Sequence, residues 1–346
     1  MIRIKIVDID RHRNETTFRP YLMHNHIFRD VGIEFVFSGN SYDLAWVGQA
    51  TYSNKKLSLA ESVEVGIRSL EKIPGDVWLF DGQDSASLIG TYDVFVQSGA
   101  KFLLKNSLYK NRNDYKLPWT HGRKYWKYNP EHKWSITDNN RFSDVYLSGT
   151  NWLSTVNVTL SNFSKKKSID VFALFSYPSR ENYEFGNLTS TYYDEHRKTC
   201  VEYLNSLRKK TKLNIAMLDG GIHVPIDQYY DMMSKSKVVI APFGYGEMAP
   251  RDLEAAMLGA ILVKPDMSHI ESLPEFYSSQ TYIPVKWDFS DLQDKIQYAI
   301  EYYKDFTYPE QALELYLKET NYFNGEMVVS HICKLLKQTG NFNEVN

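Results

Sequence analysis

The chain has 346 residues, with 40 basic and 42 acidic side chains and a formal net charge of −2. This length predicts two domains, each large enough to bury an ordinary core. The near-neutral charge argues against a protein built mainly to bind nucleic acid or anionic lipid, because such binding needs a basic excess. The two cysteines cannot form a disulfide scaffold and suit a reducing compartment. Aromatic residues are unusually frequent, at 14% of the chain.

The first half of the chain alternates strand and helix patterns. β-branched residues in alternation predict a strand over residues 2–9, and a helix is predicted over residues 19–31. Ser58 and Glu61 form a capping box at the start of a helix over residues 59–72. The other elements predicted in this half are strands at 33–38, 44–47, 76–80 and 101–104 and a helix at 85–98. Strands separated by helices predict a parallel sheet.

Residues 106–165 break this alternation and carry four of the seven tryptophans. They predict an irregular, partly β region, with a linker at 164–167, after which the alternation restarts. The later predicted elements are strands at 169–175, 213–218, 238–242 and 261–263 and helices at 194–210, 226–236, 250–258, 291–304, 309–318 and 325–337. The fold class is therefore α/β, with two Rossmann-like doubly wound domains facing a central cleft. The predicted divisions are 1–165, 166–320 and a C-terminal helix and tail at 321–346.

The segment after the strand at 238–242 has the richest pattern for ligand binding. Gly244 and Gly246 let the backbone approach a ligand closely and leave amides free. The next helix presents unpaired N–H groups and the positive end of its dipole, which suit a phosphate. Arg251 in its first turn and Glu254 one turn on share a face, where they can bind a phosphate and two ribose hydroxyls. This pattern predicts a nucleotide-diphosphate site, and the alternative is a glycine turn followed by a surface ion pair.

The same segment resembles the C-terminal nucleotide-sugar-binding motif of GT-B glycosyltransferases, in particular the exostosin-like and group 1 families. In those families a strand and a small loop precede a helix of the form R-x-x-E-A-x-x-x-G, which an apolar strand follows. This chain has Arg251, Glu254, Ala255 and Gly259 in that order. The likeness covers roughly residues 168–305, whereas the first half agrees only in its pattern of strands and helices.

The resemblance implies a hexosyl- or pentosyltransferase that moves a sugar from a nucleotide-sugar donor to a glycan or other hydroxyl acceptor. It implies a donor in the second domain, an acceptor in the first, and no metal or cofactor, because the helix end and basic residues neutralise the diphosphate. The donor-binding residues that it implies are Arg180, Gly244, Tyr245, Gly246, Glu247, Arg251, Glu254 and Lys264. Retaining group 1 enzymes have two glutamates eight residues apart, whereas Glu247 and Glu254 are seven apart, so the stereochemical outcome stays open.

Asp81 and Asp84 follow the strand at 76–80 and are the candidate catalytic residues. An inverting transferase needs a general base near the acceptor hydroxyl, and an aspartate at a strand end can supply it. Asp84 also suits the N-cap of the helix predicted from residue 85, so Asp81 is the preferred base. Trp119 and Trp126 are candidates for stacking on acceptor sugar rings, with an ordinary core role as the alternative.

Two other functions stay open on the same fold: a non-catalytic glycan-binding protein and a nucleotide-sugar epimerase. Residues 1–13 lack the continuous apolar core of a signal peptide, and no run approaches the ~18 apolar residues of a membrane helix. These patterns predict a cytoplasmic protein, peripheral to a membrane only if its acceptor is lipid-linked. Neither the donor sugar nor the oligomeric state follows from the sequence.

Overall fold

The computed structural model describes residues 1–7, 11–53, 57–126, 130–137, 140–149, 166–175, 183–184, 188–189, 192–217, 224–273, 275–279, 281–303, 314 and 325–340. Two parallel β-sheets lie in these residues, one before residue 150 and one after residue 165. They confirm the predicted α/β class with two Rossmann-like sheets. The three domain divisions stay predictions.

The first sheet follows the predicted strands closely. The strands of this half are β1 (Ile2–Val7), β2 (Ile33–Val36), β3 (Leu44–Gly48), β4 (Asp76–Asp81), β5 (Phe102–Lys105), β6 (Ser107–Tyr109), β7 (Trp119–Thr120), β8 (Lys133–Trp134) and β9 (Val145–Leu147). Six of them form a parallel sheet in the order β2-β1-β3-β4-β5-β9. Each of the first five strands overlaps the strand predicted for it, because β-branched and aromatic residues fill the buried face of a sheet.

The helices of this half are α1 (Arg11–Met23), α2 (Asn25–Asp30), α3 (Gln49–Tyr52), α4 (Leu59–Leu70) and α5 (Thr91–Ser98). The helix predicted at 19–31 is divided at His24, which separates α1 from α2. The start of α4 confirms the capping box: the Ser58 hydroxyl accepts the Glu61 amide at 3.3 Å, and the Glu61 carboxylate accepts the Ser58 amide at 3.0 Å. A local signal in the sequence therefore sets this helix end.

The helix predicted to begin at Ser85 begins only at Thr91. Between these residues the backbone amides are taken by side chains, since the Ser85 hydroxyl accepts the Ser87 amide at 3.1 Å. The Ala86 amide donates to the carboxylate of Glu247, far along the chain, at 3.0 Å. Side-chain acceptors compete with helix formation in this way. The prediction was wrong here because a long-range contact decides the local structure.

Aromatic side chains build the core beneath the first sheet. Trp46 and Trp78 are neighbours across β3 and β4, with ring centroids 6.2 Å apart. Phe80 and Tyr21 pack on Trp46 in tilted or edge-on contacts and Phe18 stacks on it, and all five side chains are buried. Such pairs add to the stability from buried area alone. Much of the aromatic excess therefore serves packing.

The second sheet is also parallel, and four of its five strands overlap predicted strands. The strands of this half are β10 (Ile169–Ala173), β11 (Tyr183–Glu184), β12 (Leu188–Thr189), β13 (Ile215–Met217), β14 (Ser236–Ile240), β15 (Ile261–Pro265), β16 (Ile270–Ser272) and β17 (Ile283–Val285). Five of them form a sheet in the order β13-β10-β14-β15-β17. Its helices are α6 (Tyr192–Lys210), α7 (Ile226–Ser234), α8 (Pro250–Met257) and α9 (Leu292–Tyr302). The helix predicted at 309–318 lies outside the described residues except for residue 314.

The last helix, α10 (Glu326–Gln338), returns to the first sheet. Val328, Ile332 and Leu336 are buried in the core that β1 and the aromatic cluster form. Its N-cap, Gly325, packs directly against the ring of His24. We call residues 1–149 with 325–340 the first lobe and residues 166–303 the second lobe. None of the helices in the described part of the chain is long and apolar enough to cross a bilayer.

A short ladder of hydrogen bonds joins the two lobes. β6 of the first lobe pairs antiparallel with β16 of the second, in a register that places Leu108 opposite Glu271. Ion pairs flank this ladder, between Lys110 and Glu275 at 3.2 Å and between Arg112 and Glu271. One continuous apolar core runs from the first sheet to the second beneath it. The lobes therefore meet through a structured interface.

Replacing Ile332 with Ala will lower the free energy of unfolding by about 2–5 kcal/mol, because it leaves a cavity between α10 and the first sheet. Ser330→Ala, at an exposed position of the same helix, will change it by no more than about 0.5 kcal/mol. Urea denaturation of both variants measures the difference. Equal stabilities would mean that α10 does not belong to the first lobe's core.

Candidate functional site

A pocket of about 490 Å³ opens at the carboxyl ends of the second sheet's central strands. Most of its wall is the loop that follows β14 and the first turn of α8. The residues that line it are Asp84, Arg197, Val224, Ile226, Tyr229, Gly244, Tyr245, Gly246, Met248, Ala249, Pro250, Arg251 and Glu254. Asp84 comes from the first lobe and the others from the second. The pocket thus lies where ligands bind in open parallel sheets.

The two glycines of the loop make room for protein side chains. A Cβ added to Gly244 would lie 2.5 Å from the guanidinium of Arg197, and one added to Gly246 would lie 2.3 Å from the backbone carbonyl of Asp84. The sequence predicted that these glycines let a ligand approach. In the structure their Cα atoms are approached by Arg197 and Asp84, which themselves line the pocket.

Arg251 and Glu254 lie on the pocket wall and are linked through Tyr229. The Tyr229 hydroxyl donates to Glu254 at 3.2 Å and lies 3.1 Å from Nε of Arg251, which donates to it. The second oxygen of Glu254 accepts the hydroxyl of Tyr230 at 3.1 Å, and Arg251 also donates to the Leu174 carbonyl at 2.9 Å. Glu254 is 7% exposed, and burial raises its pKa. Both carboxylate oxygens retain lone pairs for a further donor.

Among the comparisons with known proteins, only the comparison of structures gives matches. No family model and no curated protein matches the chain. The chain is similar to Anabaena HepE in complex with UDP, at a TM-score of 0.51 and 10% identity over 98% of this chain and 100% of that one. The chain has the GT-B fold.

Two further solved structures have lower scores. Anabaena HepE in complex with UDP-glucose has a TM-score of 0.49 at 10% identity, with 98% of this chain and 100% of that chain covered. Sucrose-phosphate synthase from Thermosynechococcus elongatus has a TM-score of 0.48 at 10% identity, with coverage of 98% and 99%. The likeness to HepE with UDP confirms the fold that the sequence resemblance implied.

A second cation of the GT-B pocket was missed by sequence reasoning. Arg197, in the second turn of α6, donates its Nε–H to the Phe243 carbonyl at 3.0 Å. Its guanidinium carbon lies 5.8 Å from the ring centroid of Phe175, and that of Arg251 lies 5.9 Å from the same ring. Two guanidinium groups therefore flank one aromatic ring. Arg180, which the sequence favoured as a phosphate ligand, lies outside the described residues.

Lys264, which the resemblance implied as a donor-binding residue, lies beneath the pocket and does not line it. It is fully buried, with Nζ 3.1 Å from the carboxylate of Asp252. Asp252 also accepts the Tyr277 hydroxyl at 2.6 Å and the Ala249 amide at 3.1 Å, so it ties β15 to the first turn of α8. Burial lowers the pKa of Lys264, and the charge of Asp252 opposes that shift. Its charge is paired beneath the pocket, and its contact with the donor stays a prediction.

The structure reverses the order of the two candidate bases. Asp81 is buried in an ion pair with Lys105 at 3.0 Å and accepts the Gln83 amide at 3.0 Å, and it does not line the pocket. Asp84 does line the pocket, and its predicted N-cap role is wrong, because α5 begins at Thr91. Asp84 is therefore the better candidate for contact with a reacting group.

Glu247 does not line the pocket either. It is fully buried, and its carboxylate accepts the Ala86 amide at 3.0 Å and lies 3.5 Å from the Tyr109 hydroxyl. Burial raises its pKa, while the Ala86 amide and the nearby Arg123 oppose that shift. All three neighbours belong to the first lobe. Glu247 therefore joins the two lobes, and its contact with the donor stays a prediction.

The two tryptophans predicted to stack on acceptor sugar rings, Trp119 and Trp126, differ in their surroundings. Trp126 is only 4% exposed and packs against the guanidinium of Arg123, so it cannot stack on a sugar. Trp119 is half-buried, faces Trp134 across β7 and β8, and donates its Nε1–H to the Asp114 carbonyl at 2.9 Å.

In the described part of the chain, no three His, Cys, Asp or Glu side chains are grouped so as to hold a metal ion.

Gly246→Ala will destabilise the protein by about 1–3 kcal/mol, because the new methyl group meets the backbone of Asp84. Gly244→Ala meets only the end of the Arg197 side chain, which can move, so it will cost clearly less. Urea denaturation of the two variants compares them under matched chemistry. Equal costs would show that the contact of Gly246 with Asp84 is not as close as described.

Lys264→Met will destabilise the protein by about 3–5 kcal/mol, because Asp252 is left buried without its cation. The exposed Lys286→Met serves as the control and will change stability by no more than about 0.5 kcal/mol. Thermal and urea unfolding measure both. A Lys264→Met variant of normal stability that has lost nucleotide binding would restore the predicted donor role.

Proposed function

We propose that the chain is a glycosyltransferase that moves a hexosyl or pentosyl group from a nucleotide-sugar donor to a hydroxyl of a glycan acceptor. The observation that carries this proposal is the convergence of Arg197, Arg251 and Glu254 on one pocket at the strand ends of the second GT-B lobe. Guanidinium groups pair with phosphate oxygens, and a carboxylate accepts hydrogen bonds from vicinal hydroxyls. HepE, solved with UDP, shares this fold and supports a nucleotide-diphosphate donor.

The leaving group explains the need for two cations. Breaking the bond between the sugar C1 and the phosphate oxygen leaves negative charge on the nucleotide diphosphate. Arg197 and Arg251, with the first turn of α8, are positioned to stabilise that charge without a metal ion. Arg251 is already oriented by Tyr229 and the Leu174 carbonyl, so little reorganisation is needed as charge develops.

Asp84 enters the pocket from the first lobe, on the side assigned to the acceptor. In the inverting case it accepts the proton of the acceptor hydroxyl while the oxygen bonds to C1 and the diphosphate departs. Both cysteines are free thiols, which supports the proposed cytoplasmic location. NMR of the product shows its anomeric configuration and so distinguishes an inverting reaction, in which Asp84 would be the base, from a retaining one.

Glu254→Ala will weaken the binding of a nucleoside diphosphate at least about tenfold, because a charge-assisted hydrogen bond to the ribose is lost. Asp84→Asn will bind normally but lower the transfer rate by about 10²- to 10⁴-fold, since only the proton acceptor is removed. Isothermal titration with UDP, GDP and ADP, followed by transfer assays with the matching nucleotide sugars, measures both effects. Glu202→Ala, an exposed glutamate of α6, is the control.

Two results would contradict the proposal in different ways. A wild-type protein that binds no nucleoside diphosphate, by titration and by thermal shift, would favour a non-catalytic glycan-binding protein. A product that is an epimerised free donor, formed without any acceptor, would identify an epimerase. Unchanged affinity in Glu254→Ala would show that the donor does not bind at α8.

A further inference from the structure

The loop between β14 and α8 is held from the first lobe by two side chains outside the pocket. Arg123 donates its Nε–H to the Tyr245 carbonyl at 3.0 Å. The hydroxyl of Tyr125 lies 2.9 Å from the Gly244 carbonyl and 2.8 Å from the Tyr245 carbonyl, and these two acceptors share its single O–H proton. Neither side chain lines the pocket. Successive carbonyls of the loop are therefore satisfied by the opposite lobe.

Arg123 is a fully buried cation in a specific setting. Its guanidinium carbon lies 4.3 Å from the ring centroid of Trp126 and 4.4 Å from that of Tyr245, so one aromatic ring from each lobe contacts it. Such contacts stabilise a desolvated guanidinium. Its Nη1 donates to the His121 carbonyl at 3.3 Å, which also accepts the Ser87 hydroxyl at 2.8 Å. A buried charge needs partners of this kind, and here they include the donor loop itself.

Backbone strain in the first lobe accompanies this contact. His121 has a φ of 48°, in the left-handed region that non-glycine residues rarely occupy. A conformation of this kind costs about 1–3 kcal/mol and persists only where the surroundings enforce it. The carbonyl of His121 is one of the acceptors for Arg123. The strained turn thus belongs to the same arrangement that holds the loop.

The loop in turn contacts two residues that face the pocket, Arg197 of α6 and Asp84 of the first lobe. The Phe243 carbonyl accepts Nε–H of Arg197, whose guanidinium rests on the Cα of Gly244. The Cα of Gly246 rests against Asp84. A displacement of this loop would therefore move Arg197 relative to Asp84, which belongs to the first lobe.

We propose that Arg123 and Tyr125 are positioning residues for the donor site: they hold the loop carbonyls from the first lobe, and thereby set Arg197 for the nucleotide diphosphate. The proposal rests on the proposed function, since it assigns the loop to a diphosphate. The two residues contact neither donor nor acceptor. They act through the backbone of Gly244 and Tyr245, so their loss alters donor binding before it alters the chemical step.

Tyr125→Phe removes one hydroxyl and keeps the ring that packs against Phe243. The dissociation constant of the nucleoside diphosphate bound tightest by the wild type, among UDP, GDP and ADP, will rise about three- to tenfold. KM for the matching nucleotide sugar will rise by a similar factor, while kcat at saturating donor changes less than twofold. Hydrogen exchange of the amides at 243–248 will be faster without any nucleotide, because the loop carbonyls have lost their partner.

Tyr21→Phe is the matched control, because this buried tyrosine also donates to a backbone carbonyl, that of Ser148 at 2.7 Å, in the first lobe's core. It will lose comparable stability but bind the nucleotide normally. Arg123→Lys keeps the charge but cannot present a planar group to Trp126 and Tyr245, so it will behave as Tyr125→Phe does.

The outcomes separate the two proposals. Suppose that the wild type binds a nucleotide and that Tyr125→Phe has the same affinity and the same rate of loop hydrogen exchange. This result would overturn the positioning role and leave the proposed function standing. An equal rise of the dissociation constant in Tyr21→Phe would overturn it too, since the effect would then come from lost stability. A wild type that binds none of the three nucleotides would overturn both.

Discussion

The pocket depends on one close approach, that of the Gly246 Cα to the backbone and carboxylate of Asp84. A single Cβ at this point would lie 2.3 Å from a carbonyl oxygen, so the contact exists only because the residue is glycine. Through it a residue of the first lobe enters a wall otherwise built by the second. The guanidinium of Arg197 approaches the other glycine of the loop, Gly244. Asp84, Arg197 and Glu254, which lie far apart in the sequence, therefore line one pocket. The proposed chemistry requires this proximity.

Two buried ion pairs lie at the strand ends beneath this pocket. Asp81 with Lys105 and Asp252 with Lys264 are both almost completely removed from solvent. A buried pair contributes little net stability, because desolvation offsets the attraction, but breaking it is costly. Their effect here is geometric. The first lies at the ends of two neighbouring strands, and the second joins β15 to α8, whose first turn then presents Arg251.

Periodicity and local caps were enough to predict both sheets, most helices and the capping box at Ser58, because each depends on residues close in sequence. The strand-end rule also led to the loop that lines the pocket. It could not tell which way a side chain points, and so Lys264 and Glu247 were assigned to the donor although one lies beneath the pocket and the other joins the lobes. Arg197 was overlooked, since only tertiary structure brings a helix residue to the loop. The same holds for α10, whose apolar face gave no sign of the sheet that it covers.

The ladder between β6 and β16 has a consequence for protein engineering. A two-lobed architecture invites the exchange of one lobe for that of a relative, in order to combine one donor with another acceptor. In this chain the backbone of the second lobe is paired with a first-lobe strand, and a shared apolar core lies beneath both. A foreign first lobe would have to reproduce that edge strand and its register before the second lobe could fold against it. The second lobe is therefore not an interchangeable module, and specificity in this protein is more readily altered by point substitution within the pocket.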